Sequence, residues 1–208
     1  ILISIVYLST VGIKTDKFNY RISSQIKKID NNLDIRLKEV SIILNPFKFK
    51  IDAKTVGSDL IYRDKLIQLD NIKSSISIKS FIDRKFSLTK ISVSTKSLDI
   101  KNLISFIRLL KKDPKIYIAE QYVKKGYIIA DIELEFDDLG NIKSNYIIKG
   151  LVKDGKISLF KKYNFNKINF LFNIQENRVQ FNDLELSINK KDIFAPRIEA
   201  IKKNNGFL

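Results

Sequence analysis

The chain has 208 residues, of which 44% are hydrophobic, enough to build the buried face of one large or two small β domains. It contains no cysteine and no histidine, which excludes disulfides, thiol nucleophiles, imidazole bases and the usual transition-metal ligands. The formal net charge of the chain is +15. Its lysine residues mostly alternate with apolar residues, as in Lys48-Phe49-Lys50-Ile51, so we expect the lysines on the solvated faces of strands.

Residues 1–13 are uncharged and rich in isoleucine, leucine and valine. This stretch is shorter than the roughly 20 apolar residues that span a bilayer, but the chain starts at Ile1, so we predict the end of an N-terminal membrane anchor. A buried helix or a first strand is the alternative. Lys14, Lys17 and Arg21 follow directly, and the positive-inside tendency assigns such a flank to the cytoplasm.

Residues 14–32 predict an amphipathic helix followed by a link. Phe18, Ile22, Ile26 and Ile29 recur at three- and four-residue spacing, which predicts a helix over 16–29. Asp30-Asn31-Asn32 ends this pattern.

Short segments of strict apolar/polar alternation begin at Leu33. Examples are Leu33-Asp34-Ile35-Arg36-Leu37, Ile76-Ser77-Ile78-Lys79 and Ile91-Ser92-Val93-Ser94. Period-2 alternation places successive side chains on opposite faces, so each such strand has one apolar and one polar face. We predict a first segment of one-sided antiparallel sheet, a β-groove, over 33–101, with separate strands at 65–69 and 71–78.

A helical insertion is predicted over 102–126. Asn102 is the expected N-cap of a helix that stops before Pro114, and a second helix over 115–125 is expected to end at Gly126. Strands resume over 127–208 as a second β-groove segment that we expect to continue beyond residue 208. It includes strands at 144–149 and 156–160 and a two-residue hairpin turn at Glu176-Asn177.

No residue pattern indicates catalysis. Glu133 and Glu135 alternate with apolar residues and therefore belong to the polar face of one strand, and Asp137-Asp138 lies in a turn-forming sequence. Glycine-rich phosphate loops are absent from the sequence. We therefore predict no enzyme, no catalytic residue, no metal and no cofactor.

The apolar face of the sheet is the candidate site, a groove for lipid. Alternation places ten residues on it: Ile35, Leu37, Ile76, Ile78, Ile91, Val93, Ile132, Leu134, Phe170 and Phe172. The alternative is that this face is the core of a closed sandwich. Only short helices are predicted to cover the sheet, which favours an apolar face left partly open, of a size that suits lipid.

Three stretches carry a family resemblance: LDIRLKEVSIILNPFKFKIDAKTV at 33–56, IQLDNIKSSISIKSFIDRKFSLTKISVSTKSLDI at 67–100, and YIIADIELEFDDLGNIKSNYIIKGLVKDGKISL at 127–159, the last with Gly140, Gly150 and Gly155 at predicted turns. With the N-terminal apolar piece, they resemble the AsmA-like family of Gram-negative envelope proteins, which includes TamB-type and YhdP-type members. That family is similar to the bridge-like lipid-transfer proteins, whose taco-shaped β-sheets form a hydrophobic groove for phospholipid.

The resemblance implies a single-pass inner-membrane protein, anchored through residues 1–13, whose bulk lies in the periplasm. Its groove would hold or conduct phospholipid acyl chains between the inner and outer membranes. One alternative is a scaffold or assembly factor whose sheet edges pair with strands of outer-membrane proteins. A second alternative is binding of an anionic polymer such as nucleic acid, which the interleaving of lysine with apolar residues disfavours.

Overall fold

The computed structural model describes residues 2–17, 19–29, 31–83, 88–111, 113–160, 162–203 and 206–207. These residues form a mainly β protein, in which antiparallel strands follow one another in an open, linear order and short helices lie between them. The predicted fold class is confirmed in these respects. The chain divides into two compact units, Ile1–Ser94 with Ile132–Tyr146, and Thr95–Asp131 with Ile147–Leu208.

The first unit contains three short helices and a sheet in the order β1-β3-β4-β6-β7. Strand β5 pairs with the first residues of β6, and β2 pairs with β5. Residues 132–135, the end of a longer strand, lie beside β7. The elements are α1 (Leu2–Thr10), β1 (Ile13–Thr15), α2 (Asn19–Ile29), β2 (Leu33–Arg36), β3 (Val40–Asn45), β4 (Lys50–Val56), β5 (Asp59–Tyr62), β6 (Lys65–Ser77), α3 (Ile78–Ile82) and β7 (Leu88–Thr95).

The first unit has a small core that includes Ile35 of β2, and helix α2 packs against the same strand. The buried apolar residues of this core are Ile35, Val40, Tyr62, Ile67 and Leu69. The polar contact between α2 and β2 is made by Asp34, which accepts a hydrogen bond from Ser23 Oγ at 2.5 Å and lies 3.1 Å from Lys27 Nζ. A helix is therefore present within the predicted range 16–29: it runs from Asn19 to Ile29, Asp16 and Lys17 precede it, and Phe18 lies outside the described residues.

The membrane anchor predicted for residues 1–13 is not supported. Helix α1 has nine residues, and none of the helices among the described residues is long and apolar enough to cross a membrane. Ile13 belongs instead to strand β1 and lies opposite Ile42 of β3.

The second unit contains a helical hairpin and a sheet of long strands in the order β9-β10-β11-β12-β13-β14, with β8 paired to β9. In the hairpin, Glu120 of the second helix accepts hydrogen bonds from Ser105 Oγ at 2.6 Å and Arg108 Nε at 2.8 Å of the first. The elements are β8 (Leu98–Asp99), α4 (Ile100–Leu110), α5 (Pro114–Tyr122), β9 (Val123–Glu135), β10 (Ile147–Leu159), β11 (Tyr163–Gln175), β12 (Arg178–Ile188), β13 (Lys191–Lys203) and β14 (Gly206–Phe207).

Several predicted element boundaries are wrong. The strands predicted at 65–69 and 71–78 are one strand, β6, and Ile78 begins helix α3. Helix α4 is capped by Asp99, whose carboxylate accepts the backbone N–H of Asn102 at 2.9 Å, so Asn102 is not the cap. The second predicted helix ends at Tyr122, and Gly126 lies inside β9 with φ of +143°.

Strand β10 is continuous through the two glycines that were predicted at turns. A Cβ on Gly150 would lie 2.0 Å from the carbonyl oxygen of Ile129 in the neighbouring strand. A glycine inside a strand marks such a close approach of two backbones. In the sequence, this kind of glycine cannot be distinguished from one in a turn. The two-residue hairpin predicted at Glu176-Asn177 is confirmed, since Gln175 lies opposite Arg178.

Candidate functional site

The second unit has an apolar face centred on three phenylalanines, which we call the aromatic face. Phe172 of β11 lies opposite Gly150 of β10 and Phe181 of β12, and Phe170 lies opposite Val152. The ring of Phe170 packs edge-on against Phe181 at 5.3 Å and against Phe172 at 6.3 Å between centroids. The same register adds Ile148, Ile174, Val179, Ile198 and Ala200 to this face.

Gly150 gives Phe172 its place on the aromatic face. A Cβ at position 150 would lie 2.7 Å from Cζ of Phe172, so the ring occupies the space that a side chain on β10 would fill. This arrangement leaves Phe172 only 7% exposed, although the described residues of the unit form no second sheet that could cover it. Phe170 and Phe181 remain half-buried.

The apolar face continues past a break in the alternation of three neighbouring strands. The apolar phase shifts by one residue between Val152 and Gly155 in β10, between Phe165 and Ile168 in β11, and between Phe181 and Leu184 in β12. Each break contains a residue with positive φ: Asp154 at 53°, Lys167 at 51° and Asp183 at 52°. Such bulges re-aim the following side chains, so the residues beyond them, including Ile157, Ile168 and Leu186, stay on the apolar side.

The bulges are stabilised across strands. Asn169 Oδ1 accepts the backbone N–H of Asp154 at 2.8 Å, and Asn169 Nδ2 donates to the carbonyl of Lys167 at 3.3 Å. One asparagine side chain thus satisfies backbone groups that two bulges leave without a ladder partner.

The first unit has an apolar face of its own. Ile42 of β3 lies opposite Ala53 of β4, and Ile51 of β4 lies opposite Ile76 of β6. On the polar face of the same strands, Ser75 Oγ donates to Asp52 at 2.6 Å. The two faces therefore separate by polarity, as alternation predicted.

An ion pair fixes the orientation of β7 in the first unit. Lys90 Nζ lies 2.7 Å from Glu133 Oε2, which places both residues on one face. Their alternating neighbours therefore lie on the opposite face, and these are four predicted groove residues: Ile91, Val93, Ile132 and Leu134. All four are half-buried.

The ten predicted groove residues occupy three kinds of position. Ile76, Ile91, Val93, Ile132 and Leu134 lie half-buried on strands of the first unit, and Phe170 lies half-buried in the second. Ile35 and Phe172 are each 7% exposed: Ile35 belongs to the small core of the first unit, and Phe172 lies on the aromatic face opposite Gly150. Leu37 follows the end of β2, and Ile78 is the first residue of α3, so neither lies in a strand.

Sequence reasoning missed Phe181 and Val152, which are the cross-strand neighbours of Phe170. The alternation Val179-Gln180-Phe181 was a usable signal for the first. Val152 carries little signal, because Gly150 and Gly155 beside it resemble turn residues.

Two acidic residues, Asp34 and Asp137, accept hydrogen bonds that lower the pKa of their carboxyl groups. Hydrogen bonds from the side chain and backbone of Asn141 lower the pKa of Asp137 in the loop after β9, and a hydrogen bond from Ser23 lowers that of Asp34. Among the described residues, no group of three or more acids could hold a metal ion.

No protein-family model, curated protein or solved structure matches this chain. The resemblance to the AsmA-like family therefore stands on sequence pattern alone.

Proposed function

We propose that the chain is a lipid-binding β protein whose apolar sheet faces hold or conduct phospholipid acyl chains. The observation that carries this proposal is the aromatic face of the second unit, where apolar side chains from four strands lie next to one another and most of those on β10, β11 and β12 are half-buried. An apolar surface of this kind is typical of a binding surface.

The dimensions of the aromatic face suit one acyl chain. From Ile168 to Ile174, strand β11 advances by about 20 Å at about 3.3 Å per residue. One leaflet of a bilayer holds its acyl chains within about 15 Å, half of the roughly 30 Å hydrocarbon thickness. Each CH₂ removed from water contributes about 0.8 kcal/mol, so a whole chain would be held firmly with little preference for any one position along the face.

The AsmA-like resemblance supports the same proposal and supplies its setting. It suggests a protein of the bacterial envelope that moves phospholipid between the inner and outer membranes. The mechanism is passive: acyl chains lie on the apolar side chains, and head groups stay in water at the rim.

Site-specific photocrosslinking tests the proposal. A benzophenone amino acid placed at Ile174 or Val179 of the aromatic face should crosslink a phospholipid that carries a labelled acyl chain. The same amino acid at Asn173 or Gln180, one residue away on the polar face, is the matched control. Equal crosslinking at both pairs of positions would refute an acyl-chain site on this face.

One observation favours the second candidate function, strand pairing with an outer-membrane protein. Over 191–201, β13 pairs with β12 along one side, and its described partner on the other side, β14, contacts only Lys202 and Lys203. Ile193, Phe194 and Ile198 of this strand are exposed. Such an edge can accept a further strand. Hydrogen exchange distinguishes the two candidate functions. Addition of a strand would protect the backbone amides of β13 from exchange, whereas acyl-chain binding would leave them unprotected.

Nucleic-acid binding remains the third candidate. It predicts affinity that falls steeply with salt, whereas acyl-chain binding does not. A salt titration of binding to single-stranded DNA tests it.

A further inference from the structure

Lysine and asparagine side chains line an open cavity on the polar face of the second unit, where β10 ends and β11 begins. Its volume is about 490 Å³, and its lining residues are Lys156, Asn164, Asn166, Asn189 and Lys190. None of the described acidic residues lines it. We call it the polar cavity.

The hairpin turn between β12 and β13 builds one wall of the polar cavity. Asn189 and Lys190 form this turn with positive φ values of 48° and 73°, the pattern of a type I′ turn. Asn189 N–H donates to the carbonyl of Asn164 at 3.2 Å, and Asn189 Oδ1 accepts the Asn164 N–H at 3.3 Å. These two hydrogen bonds fix the turn against the start of β11.

The hydrogen-bonding groups left for a ligand are mostly donors. Asn164 Oδ1 already accepts from Ser158 Oγ at 2.9 Å, and Asn189 Oδ1 is engaged in the turn, so their amide NH₂ groups remain as donors. Within the described part of the chain, neither Lys156 nor Lys190 forms an ion pair. The cavity therefore combines two ammonium groups and two amide donors with one acceptor, Asn166 Oδ1, since Asn166 Nδ2 donates to the carbonyl of Asn164 at 3.4 Å.

We propose that the polar cavity binds a phosphate group. Ammonium and amide donors around one cavity give a phosphate oxygen charge-assisted hydrogen bonds, and lysine is a common phosphate ligand in proteins. The phosphate of a lipid head group and that of a soluble phosphate ester share this chemistry. Asp154 and Asp192 lie two residues along the chain from Lys156 and Lys190, and neither of these acids lines the cavity.

This proposal is independent of the acyl-chain proposal. Ile157 lies opposite Phe165 on the apolar side, so the adjacent residues Lys156 and Asn166 lie on the other face of the same strands. A ligand in the polar cavity touches none of the three phenylalanines that define the aromatic face.

The test measures binding of the full chain to inorganic phosphate, glycerol 3-phosphate and lipid vesicles. The cavity variant is Lys156→Ala with Lys190→Ala, and the matched control is Lys149→Ala with Lys202→Ala, which removes the same charge from exposed positions of the same unit. We expect the cavity variant to bind at least about tenfold more weakly than the wild type, because each ammonium contributes a charge-assisted hydrogen bond, and the control to change by less than about twofold.

The ligands distinguish the two sources of phosphate. Binding of glycerol 3-phosphate that the cavity variant loses, with no preference for anionic vesicles, assigns the cavity to soluble phosphate esters. Capture by phosphatidylglycerol vesicles over phosphatidylcholine vesicles, lost in the same variant, assigns it to head groups. Equal losses in the cavity variant and the control would overturn the proposal, and so would failure of the wild type to bind any of these ligands.

A Phe170→Asp variant separates this proposal from the acyl-chain proposal. It should bind phosphate as the wild type does, whereas the cavity variant should keep its acyl-chain crosslinks. Loss of both activities in either variant would show that the two sites are not independent.

Discussion

Replacing Phe170 by Asp should weaken acyl-chain binding to the aromatic face by roughly a hundredfold. Phe170 packs between Phe172 and Phe181, at ring distances of 6.3 Å and 5.3 Å, so its side chain lies in the middle of the face. A side chain at this position contacts about four CH₂ groups of a bound chain, and at about 0.8 kcal/mol each their loss amounts to roughly 3 kcal/mol. That free energy corresponds to roughly a hundredfold weaker binding.

The neighbouring residue provides the control. Leu171 lies opposite Leu151 on the other face and is 45% exposed, so Leu171→Asp introduces the same charge one residue away. If the two faces differ as proposed, Leu171→Asp should leave acyl binding within about twofold of the wild type, because no CH₂ contact on the aromatic face is removed.

The assay is a titration of each variant with a fluorescent fatty-acyl phospholipid, together with urea unfolding of the same samples. A Phe170→Thr variant retains a strand-forming residue and serves if the Asp variant is poorly folded. Equal lipid affinity for Phe170→Asp and Leu171→Asp, with both folded, would refute the assignment of acyl binding to this face.

Three further predictions concern both units. In the first unit, Val93→Asp should weaken lipid binding about tenfold in the same titration, whereas Ser92→Asp on the opposite face should not, because only Val93 contributes apolar contact. Gly150→Ala should lower the free energy of unfolding by about 1–3 kcal/mol in urea titrations, since its Cβ would lie 2.0 Å from a backbone oxygen. The hydrogen bond from Ser23 lowers the pKa of Asp34 below its ordinary value of 3.8, so this carboxylate stabilises the fold above that pH. The stabilisation by the Asp34 carboxylate should disappear as the pH falls through the lowered pKa that this group has in the folded state. In the Asp34→Asn variant, the urea midpoint should therefore depend less on pH in this acidic range.

Each of these predictions has a clear contradicting outcome. Equal lipid binding by the Val93 and Ser92 variants would show that the apolar face of the first unit does not bind acyl chains. An unchanged unfolding midpoint for Gly150→Ala would show that β9 and β10 can separate without cost. Parallel pH profiles for the wild type and Asp34→Asn would show that the contact between α2 and β2 contributes no pH-dependent stability.

Alternation alone predicted the main architecture of the chain. Period-2 patterns such as Ile132-Glu133-Leu134 translate directly into strand faces, and the spacing of apolar residues over 16–29 located helix α2. The pattern could not locate strand ends where long-range pairing decides them. Gly150 and Gly155 resemble turn residues in sequence, yet the approach of β9 and the side chain of Ile168 keeps both inside β10.

The candidate site was only partly accessible from the sequence. Alternation assigned one face to four residues, Ile91, Val93, Ile132 and Leu134. The ion pair between Lys90 and Glu133 lies on the other face of the same two strands, which agrees with this assignment. The continuation of the aromatic face past the bulges in β10, β11 and β12 could not be predicted from alternation. It depends on bulges at residues with positive φ, for which Asp154, Lys167 and Asp183 give no distinctive sequence signal.

The polar cavity was not predicted either, because its residues come from two separate strands and a turn. Lys156, Asn166 and Lys190 are far apart in sequence, and only the register of β10, β11 and β12 brings them together. A lysine-rich composition predicts many such charges without indicating which of them converge.

The decisive experiment is native mass spectrometry with lipid extraction, on the full chain purified from a bacterial envelope in mild detergent. Phospholipid should co-purify with the wild type and with Leu171→Asp, and should be lost from Phe170→Asp. A lipid-free, monodisperse wild-type protein would contradict the proposed acyl-chain site.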